Sequence, residues 1–267
     1  IKSNIKELER KNIIFDTISL IKKKYPKKNI GLDIELKKQI PLGSGLGGGS
    51  SNAATTLKAI NTMYKLNIGK KKLLTLGSIL GADVPFFINE KNAWVEGKGD
   101  ILTNIFIPSC LFILIFSKHI ISTKNMYQNV KLHEKNSNSS YEDFLHGNTS
   151  NSFEYNVFKN FPSIKKAAEK LSNFGPVRMT GSGGTLFLPE YESERAEKIL
   201  KELPKKYDTK LVSSLWLPHT NIKVMKTMLS LQYNYEGPRK SEILLIYYIQ
   251  IYLGVSPSGK AAGFDPV

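Results

Sequence analysis

Cysteine is almost absent from this chain of 267 residues; Cys110 stands alone. A single thiol excludes a disulfide framework and suits a reducing, cytoplasmic compartment. It precedes the apolar run 111–116, with no charged group nearby in sequence to stabilise a thiolate, so it is not expected to act as a nucleophile. Long apolar stretches are also missing. The longest, 110–116 and 243–253, fall short of the roughly 20 residues needed to span a bilayer. Residues 1–10 are charged and lack the apolar centre of a secretion signal. The chain therefore reads as soluble, with no membrane partner. Acidic residues are scarce, at 23 Asp and Glu against 38 Lys and Arg, for a formal net charge of +15. Such an excess is compatible with nucleic acid. The lysines are spread along the whole chain, however, and the tight clusters at 22–24, 27–28 and 70–72 fall on or beside helical stretches as solvated faces. No nucleic-acid partner is expected; a basic surface also steers anionic small molecules. Lys, Ile and Asn dominate, as in proteins of AT-rich bacterial genomes.

What the chain does have is concentrated between residues 41 and 54. There Pro41-Leu-Gly-Ser-Gly-Leu-Gly-Gly-Gly-Ser-Ser-Asn-Ala-Ala54 packs five glycines and three serines ahead of an apolar series at Ala53, Ala54, Leu57, Ile60 and Tyr64. Spacings of three and four signal a helix, so a glycine-rich loop feeds a helix N-terminus. Glycine lets backbone N–H groups approach an anion closely. The helix start adds unpaired donors and the positive end of its dipole. Together they form a phosphate cradle. Two common phosphate loops are excluded. The P-loop requires Lys and Ser/Thr after its last glycine, where this chain has Ser50-Ser51-Asn52; the dinucleotide fingerprint needs an acid some twenty residues on, where this chain has Gly69-Lys-Lys-Lys72.

Along the chain, 13–24 reads as a helix ended by Pro26, and 30–36 alternates apolar and polar residues as a half-buried strand. Residues 73–80 read as a helix stopped at Gly81. Strands are expected at 86–88, 93–96, 111–116, 185–188 and 210–217, and helices around 164–171 and 192–203. The polar stretch 133–152 reads as a long loop or weak helix. Helices and strands without strict alternation indicate an α+β fold.

Two further segments carry chemistry. In Leu80-Gly-Ala-Asp-Val-Pro-Phe86, Asp83 follows a helix end in a short apolar turn, where a carboxylate can orient a hydroxyl and accept its proton. Read alone, it is more readily a turn residue bonded to local backbone. Arg178-Met-Thr-Gly-Ser-Gly-Gly184 is a second glycine turn, with Thr180 and Ser182 hydroxyls beside its N–H groups.

The pattern Pro-x-Gly-x-Gly-Leu-Gly-x-x-Ser-Ser, followed in order by the other two segments, resembles the GHMP kinases. Gly45–Ala54, Leu80–Pro85, Glu96-Gly-x-Gly99 and Ser214-x-x-x-Pro-His219 are most similar to the branch that acts on a cytidyl diphosphate sugar alcohol. The resemblance spans about 11–222 and implies a two-lobed fold. It implies ATP-dependent phosphorylation of a small molecule's hydroxyl in isoprenoid precursor synthesis, with Mg²⁺ accompanying ATP and its protein ligands unassigned. It places Pro41, Leu42, Gly43, Ser44, Gly45, Leu46, Gly47, Gly48, Gly49, Ser50 and Ser51 on ATP, Asp83 as catalytic base, and Thr180, Gly181, Ser182 and Gly183 on phosphate or substrate. Homoserine kinase is the other branch weighed, disfavoured by the triple glycine at 47–49 and by Gly-Ala-Asp-Val-Pro.

Against that family, Pro-x-x-Lys-x-Asn-Leu and Gly-Tyr-His segments are not found near residue 1, which is not Met. The expectation is a GHMP N-terminal ATP-binding domain over 1–105 without its first strands and a C-terminal α/β domain over 106–224. An unrelated tail follows at 225–267. Weak activity, or an inactive nucleotide-binding remnant, would follow from the missing lysine. The tail reads as translated non-coding sequence, since 254–261 back-translates into the 5′ half of a glutamine tRNA gene. Gly254-x-x-x-x-Gly259-Lys260 falls short of a P-loop because Ala261 stands where Ser or Thr must reach Mg²⁺.

Overall fold

The computed structural model describes residues 1–107, 109–121, 151–181, 183–214 and 242–244. The first half is a helical layer beside a small parallel sheet. Strand β1 (Lys2–Ser3) and a 3₁₀ turn (Lys6–Glu9) lead to helix α1 (Ile13–Lys24). Asn12 caps α1 by accepting a hydrogen bond from the Ile14 N–H at 2.7 Å, which satisfies one orphan donor of the first turn. Strand β2 (Asp33–Leu36) alternates exposed and buried residues, as its sequence predicts. It runs parallel to β1 on one side and to β9 (Glu242–Leu244) on the other. Helices α2 (Gly48–Met63) and α3 (Lys70–Leu80) then pack on α1, and α4 (Val84–Asn89) packs on α2 and α3. Their apolar faces meet in one cluster built from Ile21, Ala53, Leu57, Ile60, Leu76, Val84 and Phe87. Strands β3 (Ala93–Glu96) and β4 (Ile101–Asn104) form an antiparallel hairpin beside it.

The second half is a four-stranded antiparallel sheet in the order β6-β7-β5-β8, from β5 (Leu111–Phe116), β6 (Arg178–Met179), β7 (Thr185–Glu190) and β8 (Asp208–Ser213). Helices α5 (Glu154–Asn160), α6 (Pro162–Ser172) and α7 (Ser193–Glu202) accompany it. Strand β5 is central, which explains its unbroken apolar run: both of its faces are covered. Because side chains alternate along a strand, Ile113 and Ile115 enter the cluster that holds Ile164, Leu171 and Ile199 of α6 and α7. Phe112 and Leu114 point the other way, onto Ile40 and Leu46 of the glycine loop. One strand thus anchors helices α6 and α7 on one face and the glycine loop on the other.

The expected strand at 86–88 is corrected to a helix, α4. All six of its residues are buried, so the segment is apolar on every side and its periodicity cannot separate strand from helix. Pro85 decides the matter: its fixed φ and missing N–H suit the first helical positions. Six elements, β1, the 3₁₀ turn, β4, α5, β6 and β9, were not expected. The strand expected to open at 210 begins at 208. Of the polar segment 133–152 only 151 and 152 are described, and of the tail 225–267 only 242–244, which form β9. The segment 215–219 lies outside the described residues, as does position 182. Among the described residues no helix is long and apolar enough to cross a membrane.

Candidate active site

Gly43, Gly45 and Gly47 all hold left-handed backbone, with φ of 67°, 70° and 66°. Ser44 and Leu46 between them keep ordinary φ and turn inward, both buried. Alternation of this kind points successive N–H groups into one concavity, the geometry of an anion nest. Gly47 is the N-cap of α2 and has no side chain with which to cap it. The first bond of the helix closes from the Ser51 N–H to the Gly47 carbonyl at 2.9 Å. Among the described residues, the N–H groups of Gly48, Gly49 and Ser50 therefore precede the first helical bond and have no partner within the helix. At Gly49 a Cβ would meet nothing within 4 Å, so the helix start opens to free space on that side.

The second glycine turn is pressed against the first. A Cβ on Gly45 would lie 2.6 Å from the Thr180 carbonyl oxygen and 2.7 Å from that of Gly183; one on Gly184 would lie 2.2 Å from the Gly43 carbonyl oxygen. Backbone meets backbone, and only glycine fits. The Thr180 hydroxyl, in a residue 1% exposed, donates to the Ser44 carbonyl at 2.8 Å and also lies 3.0 Å from the Thr185 carbonyl. Its polar atom is spent on holding the two turns together. Asn151 braces the same turn by donating to the carbonyls of Met179 at 3.1 Å and Gly181 at 2.7 Å. Ser182, the remaining expected residue of this turn, is not among the described residues.

Asp83 sits at the N-cap of α4 and makes no capping bond through its side chain, which removes the alternative of a carboxylate tied to local backbone. Phe87 stands four residues further on, and its ring abuts Gly47, 2.6 Å from where a Cβ would stand. Residues four apart share a helix face, so Asp83 is carried on the side of α4 that meets the glycine loop. Its segment is buttressed by the β3–β4 turn: Gly99, at φ of 89°, is so close that a Cβ would lie 2.1 Å from the Ala82 carbonyl oxygen. Burial pushes the Asp83 carboxyl above its ordinary value, because a low-dielectric surrounding disfavours the charged form. The late serine motif contributes structure: Ser214 and Cys110 exchange hydrogen bonds, each 2.8 Å, at the end of β5.

Sequence reasoning passed over three polar groups here. Lys38, half-buried, places its Nζ 2.6 Å from the Cβ position of Gly48. Asn52 and Thr56, one turn apart on α2 and 4% and 1% exposed, carry an Oδ1 and an Oγ1 without hydrogen-bond partners among the described residues. Both fall on the buried face of an otherwise apolar periodicity, the signal that could have marked them.

The model describing the N-terminal domain of GHMP kinases matches residues 12–91, and the one describing their C-terminal domain matches 129–209. The two matches, in this order, place the chain among the GHMP kinases. Three relatives, each named 4-diphosphocytidyl-2-C-methyl-D-erythritol kinase, are close. The one from Janthinobacterium sp. (strain Marseille) is 38% identical over 68% of this chain and 64% of its own length. That from Polynucleobacter asymbioticus is 37% identical over 72% and 69%, and that from Buchnera aphidicola 39% over 70% and 65%. The chain belongs to this kinase family. It spans about two thirds of the length of the curated relatives it matches. A crystal structure of 4-(cytidine 5′-diphospho)-2C-methyl-D-erythritol kinase superposes with a TM-score of 0.62 at 24% identity, covering 79% of this chain and 81% of that one. Homoserine kinase from Cytophaga hutchinsonii reaches a TM-score of 0.51 at 17% identity over 77% of this chain and 76% of its own. At such identities the superpositions show a shared fold.

Proposed function

We propose that the chain transfers the γ-phosphoryl group of ATP to the 2-hydroxyl of 4-diphosphocytidyl-2-C-methyl-D-erythritol, as its relatives' names describe, in isoprenoid precursor synthesis. The observation that carries this is the pairing of an uncapped, glycine-built helix start with a desolvated carboxylate on the helix face that meets it. ATP phosphates would lie along Pro41–Ser51, held by the N–H groups of Gly48, Gly49 and Ser50 and by the positive end of the α2 dipole. Thr180, Gly181 and Gly183 close the other side of this cradle, with Thr180 keeping its shape, and Ser182 is assigned to the same phosphate or substrate contact from its place in the motif. We assign 1–105 to nucleotide binding and 106–224 to the second domain.

Phosphoryl transfer needs positioning and charge stabilisation more than covalent chemistry. Asp83 accepts the proton of the substrate hydroxyl, the oxygen forms its bond to the γ-phosphorus, and the bond to the β-phosphate oxygen breaks to release ADP. A carboxyl raised by burial is a better match for that proton than an exposed one. Mg²⁺ takes oxygen ligands and reaches such sites on the nucleotide's phosphates. The orphaned Asn52 Oδ1 and the hydroxyls of Ser50 and Ser51 are the oxygens this loop offers it. When bound, the metal ion neutralises phosphate charge.

Asp83→Asn tests the assignment. Turnover should fall by about 10²–10⁴-fold, the range for loss of a general base, while calorimetry still detects ATP binding. Unchanged turnover refutes the role of Asp83.

A further inference from the structure

Helix α2 carries the glycine loop at its start and a different surface at its end. Its 16 residues rise about 24 Å, so what gathers around its last turn stands clear of the loop. Tyr64 closes the helix there, and its hydroxyl accepts from the Gly31 N–H at 3.0 Å and donates to the Gly31 carbonyl at 2.6 Å. The Lys28 Nζ lies 3.5 Å from the Tyr64 carbonyl. Tyr25, which closes α1, lies under the Lys72 Nζ, 5.3 Å from its ring centre. Two tyrosines thus bring together lysines that the sequence sets far apart: 22–24 and 27–28 at the end of α1, Lys65 after α2, and 70–72 opening α3. All of them are exposed. In sequence they read as separate solvated faces; the fold joins them into one.

Nothing nearby in sequence offsets this charge. The chain has no Asp or Glu between Asp16 and Asp33 or between Glu35 and Asp83. Among the described residues, none of these lysines pairs with a carboxylate. The negative ends of α1 and α2 favour the lysines beside them. They do not account for 70–72, which crowd the positive end of α3, where Gly69 supplies no side-chain cap and the first turn holds no acid. Like charges gathered in this way repel, and an external polyanion offsets the repulsion.

We propose that this surface, formed by the ends of α1 and α2 and the start of α3, binds the phosphodiester backbone of double-stranded nucleic acid without regard to sequence. It is a second binding face and does not depend on the kinase reading. Every cation on it is a lysine, a point charge that suits phosphate and lacks the guanidinium fork that reads base edges. Lysine is depleted at interfaces between proteins, which disfavours an acidic protein as the partner. The exposed large apolar side chains, Ile79, Ile101, Phe106 and Ile120 among them, lie outside 21–31 and 64–72 and offer a membrane no anchor there. Tyr25 and Tyr64 are half-buried, one covered by Lys72 and the other bonded to Gly31, so neither presents a free ring to the bases of a single strand.

Fluorescence anisotropy of a labelled DNA duplex of about 20 base pairs, titrated with the whole chain at several salt concentrations, tests the proposal. The dissociation constant should fall between about 10⁻⁶ and 10⁻⁴ M near physiological salt, with a log–log salt slope of about −0.9 for each phosphate neutralised. The side chains of Lys23, Lys27 and Lys71 make no hydrogen bond or ion pair among the described residues, so changing all three to Gln removes charge and leaves the fold in place. That triple variant should bind the duplex about tenfold or more weakly and flatten the salt slope by about one for each lysine in contact. Lys198→Gln, Lys201→Gln and Lys205→Gln together remove the same charge from α7 and the turn after it, and should leave duplex affinity within about twofold. ATP affinity, read by calorimetry, should be the same in both triple variants as in the unaltered chain. Equal loss of duplex binding in the two triple variants would assign the affinity to net charge alone and overturn the proposal. So would the absence of binding near physiological salt, or tighter binding to phosphatidylglycerol vesicles than to the duplex.

Discussion

Asp83 shows how burial changes the acidity of an ordinary carboxyl. The folded state favours its neutral form, so the ionised carboxylate costs stability at neutral pH. The sign is that of a raised acid: relative to the unfolded chain the native state gains from Asp83 at low pH, and that gain is lost as pH rises through the unfolded and then the folded value. Asp83→Asn should therefore raise the melting temperature at pH 7 while abolishing turnover, and the difference should shrink toward pH 3. Turnover itself should drop on acidification at a higher pH than an exposed aspartate would give, because the base must be ionised to accept a proton. A pH–rate profile and thermal unfolding of the variant check both statements. At this scale the sequence was only partly legible. Asp83 stood out through its neighbours Gly81 and Pro85. Lys38 did not, since a lysine in a chain of 38 basic residues carries no mark until its ammonium is seen over Gly48.

At the scale of elements, the two glycine turns behave as one object. Gly45→Ala requires a side chain in left-handed backbone, at about 1–2 kcal/mol, and also drives a methyl group into two carbonyl oxygens. Chemical denaturation should show a loss of at least about 2 kcal/mol. Gly49→Ala is the contrast. It sits in regular helix with open space beside it, so stability should hold or rise by up to about 1 kcal/mol. ATP should nonetheless bind more weakly, because the new methyl stands where an anion must approach. Thr180→Val should cost about 1–3 kcal/mol by leaving the buried Ser44 carbonyl without its donor. The loop and the α2 helix were readable because glycine clusters and a period of three and four are strong local signals. Segment α4 was misread because burial on all sides erases periodicity, and the contact between the two turns spans 136 residues, beyond any local pattern.

Across the whole molecule, β5 is what joins the parts. Its alternating side chains bind the helices of the second half on one face and the glycine loop on the other. Leu114→Ala should cost about 2–5 kcal/mol and should lower ATP affinity as well, since Leu46 of the loop rests on the same cluster. Ile113→Val, on the opposite face, should cost about 0.5–1.5 kcal/mol and leave ATP binding intact. The family and the order of its motifs were legible from sequence; the division of labour between the faces of one strand required the structure. The central claim is that this cradle and Asp83 together move a phosphoryl group onto a cytidyl diphosphate sugar alcohol. Phosphorus NMR of the chain incubated with ATP, Mg²⁺ and 4-diphosphocytidyl-2-C-methyl-D-erythritol tests it directly. The account predicts a new phosphate monoester appearing slowly but in step with ADP, and its loss in Asp83→Asn. ADP formed without the monoester, or monoester formed equally by the variant, would contradict it.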